Sequence, residues 1–165
     1  MRYVVFLLVL CITGCTGLLT SPEVIVDKVN IIGIDSKGLD LEFYLTITNP
    51  NPFVVTMNGY SYDVQVMTLP VAKGGSRDRV EFGANAATDM RLPVRVHYGD
   101  MVEILKRRPD PDRIPYRLKA GLELDSSMGE ILVPFEKNAT FSVPPEYRPS
   151  GLLKRFTEMF DRISQ

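Results

Sequence analysis

The thiol of Cys15 is the side chain in this 165-residue sequence whose position best suits covalent chemistry. Residues 3–12 are an apolar run, and Arg2 places one positive charge before it. Two small residues follow the run and separate it from Cys15. A charged start and an apolar stretch well short of the roughly 20 residues that a spanning helix needs are typical of a secretory signal peptide. We therefore predict that residues 1–14 are a signal peptide.

The residues at this boundary resemble a bacterial lipobox. The order is a branched apolar residue, two small residues and then the cysteine: Ile12, Thr13, Gly14 and Cys15. Small side chains let the backbone enter the signal-peptidase cleft, and a thiol is needed to form the thioether that carries a glyceride lipid. By this resemblance Cys15 is lipidated, the three residues before it are the signal-peptidase recognition residues, and 15–22 is a lipidated tether. The alternative is that Cys15 only ends an ordinary signal peptide or a short uncleaved anchor.

A lipid on Cys15 would hold the protein at a membrane. Three acyl chains, at ~0.8 kcal/mol per buried methylene, bind far more firmly than a single myristoyl group. Residue 16, which lipoprotein sorting often reads, is Thr rather than Asp. By resemblance to other bacterial lipoproteins we expect the protein in the bacterial cell envelope, on the inner leaflet of the outer membrane and facing the periplasm.

The other reactive side chains form no pattern typical of an active site. His97 is the one histidine, and the chain after residue 14 keeps one cysteine, so a disulfide, a His and Cys metal site and a nucleophile–base pair are not available. Asp110 and Asp112 flank a proline, which is usual turn chemistry rather than a calcium site. The GGS segment at 74–76 lacks the lysine of a phosphate loop and is interpreted as a hairpin tip. We expect no enzyme activity, no metal and no cofactor.

Composition predicts one domain built from short strands. The mature chain is long enough for a single core. The sequence has 19 Lys and Arg against 20 Asp and Glu, and the two signs are interspersed, so no basic patch is available and nucleic acid is not an expected partner. Twelve prolines and twelve glycines at short intervals favour many short strands over a few long helices.

Several segments alternate apolar and polar residues or are β-branched runs of strand length, and we predict them as strands. They are 24–34, 39–48, 60–66, 90–96, 116–124, 129–136 and 139–143. Gly33 marks a bend or bulge in the first. Strands at this spacing, mostly joined by Gly, Asn, Asp and Pro turns, predict an all-β protein, an antiparallel β-sandwich.

Two segments carry helical patterns. Residues 98–107 are predicted as a short helix with Asp100 as N-cap and three apolar side chains on one side: Met101, Ile104 and Leu105. Residues 149–165 are predicted as a C-terminal amphipathic helix with one apolar stripe: Leu152, Leu153, Phe156, Met159, Phe160 and Ile163. This stripe packs on the protein's own sandwich, lies on the membrane interface, or docks a protein partner.

The most distinctive local motif follows the strand at 39–48: Asn49, Pro50, Asn51 and Pro52. Each proline removes a backbone donor and favours extended geometry in the residue before it. Each asparagine side chain can satisfy backbone groups that are left unpaired. The strand should therefore stop at this structural motif, and the chain should turn outward.

The strand with its NPNP turn, followed by Phe53 and by the strand GYxYxVxV at 59–66, resembles the WHy domain. WHy stands for water stress and hypersensitive response, and the domain belongs to the type-2 late-embryogenesis-abundant (LEA) family. The resemblance spans roughly residues 24–144, so the domain is expected at 23–148. It implies an immunoglobulin-like or fibronectin-III-like sandwich of about seven strands with one short helix. Members are associated with desiccation and stress responses, several bacterial members are lipoproteins, and no catalytic residues can be carried over.

Two classes of function remain open. The first is a membrane-tethered, non-catalytic envelope lipoprotein that binds or shields other molecules during water stress. The second is an interaction module anchored at the outer membrane, for envelope assembly or lipid handling, with the C-terminal helix as docking element. An enzyme is a third class, because the loops of such a fold can host chemistry.

Overall fold

The computed structural model describes residues 19–126 and 129–148, which form two antiparallel β-sheets with one α-helix and one short 3-10 helix. The elements in chain order are β1 Glu23–Ile34, β2 Gly38–Thr48, β3 Val55–Val66, β4 Leu69–Ser76, β5 Val80–Phe82, β6 Ala87–His97, α1 Tyr98–Lys106, β7 Ile114–Ser126, β8 Gly129–Phe141 and the 3-10 helix Pro145–Tyr147. The predicted antiparallel β-sandwich is confirmed. The predicted C-terminal helix at 149–165 lies outside the described residues.

The strands form one sheet of three and one sheet of five. The first has the order β1-β2-β6, and the second has the order β4-β3-β7-β8, with β5 also paired to β3. Strand β4 pairs with the second half of β3, and β5 pairs with its beginning, opposite Val55, Thr56 and Met57. Together β4 and β5 thus form one interrupted edge strand, which is why eight strands stand where about seven were expected.

The core lies between the two sheets and follows the predicted alternation. Five strands supply side chains that are at most 2% exposed. Those of β2, β6 and β7 are Phe43, Leu45, Ile47, Leu92, Val94, Val96, Leu118, Leu122 and Leu124, and those of β3 and β5 are Val55, Met57, Val64 and Phe82. Phe43 meets Tyr116 edge-on, with ring centroids 5.5 Å apart. Burial raises the pKa of Tyr116, so its phenol stays neutral and brings no charge into the core.

The set of alternate residues that faces the core changes along strand β1. Its pairing with β2 shifts register between Val26 and Lys28 and again between Ile31 and Gly33. The second irregularity confirms the bulge predicted at Gly33, whereas the first was not predicted. Because an extra residue reverses the alternation, Val26 and Val29 both pack against the core although three positions separate them.

The GGS segment was wrongly interpreted as a hairpin tip, because it lies inside β4. The turn between β3 and β4 is at Met67 and Thr68, which have φ values of 50° and 69°. A Cβ on Gly74 would approach the Tyr62 hydroxyl to 2.6 Å, and one on Gly75 would approach the Tyr60 carbonyl oxygen to 2.3 Å. These glycines are therefore needed for close packing and not for a turn.

Two further expectations need correction. The segments 129–136 and 139–143 form a single strand, since β8 pairs with β7 without interruption from Gly129 to Phe141. The polar residues at 137 and 138 interrupt the alternation of side chains but not the backbone pairing. Helix α1 begins at Tyr98 after the N-cap residue His97, so Asp100 lies in the first turn and is not the cap.

We predict that Phe43→Ala lowers the free energy of unfolding by about 3–5 kcal/mol, because Phe43 is 2% exposed and its removal leaves a cavity beside Tyr116. Phe53→Ala is the matched control, since Phe53 is 43% exposed and its loss should cost less than about 1 kcal/mol. Denaturant unfolding of both variants measures the difference. Equal losses would contradict the assignment of the core.

Candidate functional site

The NPNP motif lies where β2 leaves the sandwich, and its two asparagines are the buried polar residues of the described chain. Asn49 is 0% exposed and Asn51 is 2% exposed. Pro50 and Pro52 have no N–H to donate, so the chain here cannot continue the pairing of β2. The strand ends at Thr48 as predicted. We call Asn49 and Asn51 the Asn pair.

The amide of Asn49 joins two separate stretches of backbone. Its Nδ2 donates toward the carbonyl oxygens of Phe53 at 2.8 Å, Phe82 at 3.1 Å and Gly83 at 3.0 Å. Its Oδ1 accepts from the backbone N–H of Asn51 at 3.0 Å and from Asn51 Nδ2 at 2.8 Å. Since every group around Nδ2 is an acceptor, no other orientation of this amide fits. Asn49 thus connects the turn after β2 to the end of β5.

The amide of Asn51 binds the segment that precedes β1. Asn51 Oδ1 accepts from the backbone N–H of Thr20 at 2.8 Å, and Asn51 Nδ2 donates to the Thr20 carbonyl oxygen at 2.8 Å. The side chain therefore pairs with both polar groups of one residue, as a neighbouring strand would. We call this contact the Asn51–Thr20 bridge. It fixes the place at which the N-terminal segment leaves the sandwich.

These contacts confirm the expectation that the asparagines satisfy unpaired backbone groups, but they extend further than the sequence indicates. The loop after β5 is also held, because Asn49 N donates to Ala86 O and Asn85 N donates to Asn51 O, both at 2.9 Å. Thr20 was not predicted to contribute. It takes part only through its backbone, so its side-chain type carries no signal from which its role could be found.

At the opposite end of the sandwich, α1 is attached to the two hairpin turns. Tyr98 Oη donates to the carbonyl oxygen of Asp35 at 2.6 Å, and Arg107 Nη1 donates to that of Met67. Arg95 pairs with the carboxylates of Asp35 and Asp40. The Arg95 guanidinium holds the pKa of the Asp35 carboxyl below its usual value, so this contact persists to a lower pH than an ordinary Asp carboxyl would allow.

The polar residues considered for chemistry in the sequence do not come together. His97 is exposed at the end of β6. Asp110 forms a turn, with its Oδ1 accepting from the backbone N–H of Asp112 at 3.0 Å, and the Asp112 carboxylate pairs with Arg148. Within 19–126 and 129–148 no cluster of three or more His, Cys, Asp or Glu is placed to hold a metal ion.

The predicted lipidation site Cys15 and the recognition residues Ile12, Thr13 and Gly14 lie outside the described residues. Over the part of the chain that the structure describes, no helix has the length and apolar character to cross a membrane.

We predict that Asn49→Asp destabilises the fold by about 3 kcal/mol or more at neutral pH, because a carboxylate would face three carbonyl oxygens. These acceptors and the burial raise the pKa of the new carboxyl above its unfolded value of about 3.9. As pH rises, the new carboxyl therefore loses its proton in the unfolded state at a lower pH than in the folded state. The variant's loss of stability grows as pH rises above about 3.9 and is smaller at lower pH. Urea unfolding at several pH values measures this dependence.

The matched control is Asn58→Asp, because the Asn58 amide has one exposed contact, 3.5 Å from Glu130 Oε1. It should cost less than about 1 kcal/mol at neutral pH. A loss in Asn49→Asp that is no larger than in Asn58→Asp would contradict the role given to the Asn pair.

Comparison with known proteins identifies the family. The model for late embryogenesis abundant proteins of type 2 matches residues 44–139, which include the NPNP motif and α1. A desiccation-related protein of Arabidopsis thaliana is 26% identical over 125 residues, 75% of this chain and 75% of that protein. Late embryogenesis abundant protein Lea14-A of Gossypium hirsutum is 23% identical over 124 residues, 74% of this chain and 82% of that protein.

Solved structures share the same fold. The solution structure of that Arabidopsis protein has a TM-score of 0.63 at 25% identity and covers 82% of this chain and 78% of that chain. A crystal structure of a protein from Archaeoglobus fulgidus has a TM-score of 0.54 at 13% identity, over 77% of this chain and 98% of that chain. The family model covers more than half of the sequence, and the chain therefore belongs to the type-2 late embryogenesis abundant family.

Proposed function

We propose that the protein is a membrane-tethered, non-catalytic envelope lipoprotein whose WHy-type sandwich protects or binds other molecules during desiccation. The observation that carries the stress-related part is membership of the late embryogenesis abundant family. A relative described as desiccation-related supports it. The family and these relatives are not known as enzymes, which supports a non-catalytic role.

The lipid anchor is supported by the lipobox-like residues Ile12, Thr13 and Gly14 before Cys15. The proposed anchor is an acylated thioether, with palmitate among its acyl chains. Cys15 lies five residues before Thr20, and Thr20 is bonded to Asn51. Five extended residues reach at most ~18 Å. A lipid on Cys15 would therefore keep the NPNP end of the sandwich close to its leaflet. By the sorting residue Thr16, we place it on the outer membrane facing the periplasm.

A protein that acts during drying must itself stay folded as water is removed. The faces of the sandwich that point outward carry ion pairs between neighbouring strands, including Lys73 with Asp63 at 2.9 Å and Arg117 with Glu136 at 3.3 Å. Such exposed pairs contribute little in bulk water, but their attraction grows as the surrounding dielectric constant falls. These ion pairs therefore favour a domain that keeps its shape under desiccation.

The second candidate function is an interaction module for envelope assembly or lipid handling. The observation that favours it is apolar surface on α1, where Val102 is 48% exposed and Leu105 is 63% exposed. In this hypothesis the C-terminal segment docks a protein partner through its apolar residues: Leu152, Phe156, Met159, Phe160 and Ile163. Crosslinking in intact envelopes with and without residues 150–165 distinguishes the two, because only a docking segment loses a specific partner when it is removed.

We predict that the protein incorporates radiolabelled palmitate in growing cells and that Cys15→Ser abolishes the label and releases the protein from the membrane fraction. Cys11→Ser is the matched control, since Cys11 lies inside the apolar run of the signal peptide and its loss should leave labelling intact. Gel autoradiography and membrane fractionation give the readout. An unlabelled soluble wild type, or equal labelling of the Cys15→Ser variant, contradicts the anchor.

We predict that deletion of the gene lowers cell survival after drying, freezing or osmotic shock, and that the wild-type gene restores it. Complementation with the Cys15→Ser variant tests whether the anchor is needed for this effect, and survival is measured by colony counts. Unchanged survival in the deletion strain would contradict a protective role. That outcome would leave the anchor itself untouched, because palmitate labelling tests it separately.

A further inference from the structure

Helix α1 has apolar side chains on two sides, although a helix on the surface of a domain needs only one apolar face. Met101 and Ile104 pack against the core. Tyr98, Val102 and Leu105 point away from it and are 41%, 48% and 63% exposed. Their spacing of four and three residues places them on one face of the helix. We call these three residues the outer stripe.

The outer stripe belongs to an element with a fixed position. Tyr98 is bonded to Asp35 O at 2.6 Å at the start of the helix, and Arg107 is bonded to Met67 O just after its end. These contacts attach α1 to the β1–β2 turn and to the β3–β4 turn. The apolar face is therefore held in place, and exposing it to water has a constant free-energy cost unless something covers it.

The chain leaves the described structure near the end of α1. Arg148 Nε donates to Val143 O at 2.9 Å, and Arg148 Nη2 pairs with the carboxylate of Asp112. Val143 N donates in turn to Pro111 O at 2.8 Å. Asp112 and Pro111 belong to the loop that connects α1 to β7. The segment after Arg148 therefore starts beside this loop, and one residue separates Arg148 from Ser150.

We propose that residues 150–163 form a helix that folds back on the same molecule and covers the outer stripe of α1. The apolar stripe of this segment spans 12 residues, or about 18 Å as a helix, and α1 with nine residues is about 14 Å long. A linker of one residue gives the segment a high effective concentration at this face, which favours it over a separate partner.

A membrane bilayer is a less suitable binding surface for this segment than α1. Arg148 lies at the end of the sandwich opposite the Asn51–Thr20 bridge, and the 11 residues of β2 separate the two ends by roughly 36 Å. This comparison alone rests on the proposed lipid at Cys15. The contact with α1 is independent of that anchor, so the test below can fail without affecting the proposed function.

The test compares tryptic cleavage after Lys154 and Arg155 in the full chain and in its Leu105→Asp variant. A charge in the outer stripe should release the segment and speed this cleavage by about tenfold, because proteolysis follows the population of the open form. Leu132→Asp is the matched control, since Leu132 is 62% exposed on β8, away from α1. It should cleave at the wild-type rate. Intact mass spectrometry follows the products.

A second variant, Phe160→Asp, places the charge on the apolar stripe of the segment itself, away from the cleavage sites, and leaves the sequence of the sandwich unchanged. It should reproduce the faster cleavage, and the double variant should be no faster than either single variant. The proposal is overturned if wild type and Leu105→Asp are cleaved at the same rate. It is also overturned if protection rises with protein concentration, which indicates a second copy, or requires added phospholipid vesicles, which indicates a bilayer.

Discussion

Two buried amides hold together the end of the sandwich from which the chain's first segment emerges. Asn49 bonds to carbonyl oxygens of Phe53, Phe82 and Gly83, and Asn51 bonds to both backbone groups of Thr20. A buried polar group without partners costs about 1–3 kcal/mol, so a network in which every amide atom is bonded determines one arrangement of these loops. The position of the N-terminal segment relative to the two sheets follows from that network.

The strands with strict alternation could be predicted from the sequence, because burial between two sheets selects one side chain in two. β2, β6 and β7 agree closely with their patterns, as does the stop at the NPNP motif. Strands β4 and β5 could not be found in this way. In β4, Gly74 and Gly75 occupy positions where Tyr62 and Tyr60 approach too closely for a side chain. Close packing therefore requires glycine at these positions, and the strand lacks the alternation of apolar and polar residues from which it could have been predicted.

The candidate site was predicted in its polar chemistry but not in its partners. Asparagine side chains between prolines indicate bonds to nearby backbone, and Asn49 makes one with Phe53. The bonds to Phe82, Gly83 and Thr20 join positions about thirty residues apart, and local sequence carries no information about such distances. Leu105 illustrates the same limit, since helical spacing placed it beside Ile104 whereas the hairpin turns orient α1 so that it faces water.

The Asn51–Thr20 bridge has an evolutionary consequence. It uses the main-chain N–H and C=O of position 20, and no atom of the threonine side chain takes part in it. Almost any amino acid could therefore stand at position 20 without loss of the contact. Proline is the exception, because it has no N–H to donate. Position 20 can thus differ between related chains without loss of the contact, as long as the asparagine is kept.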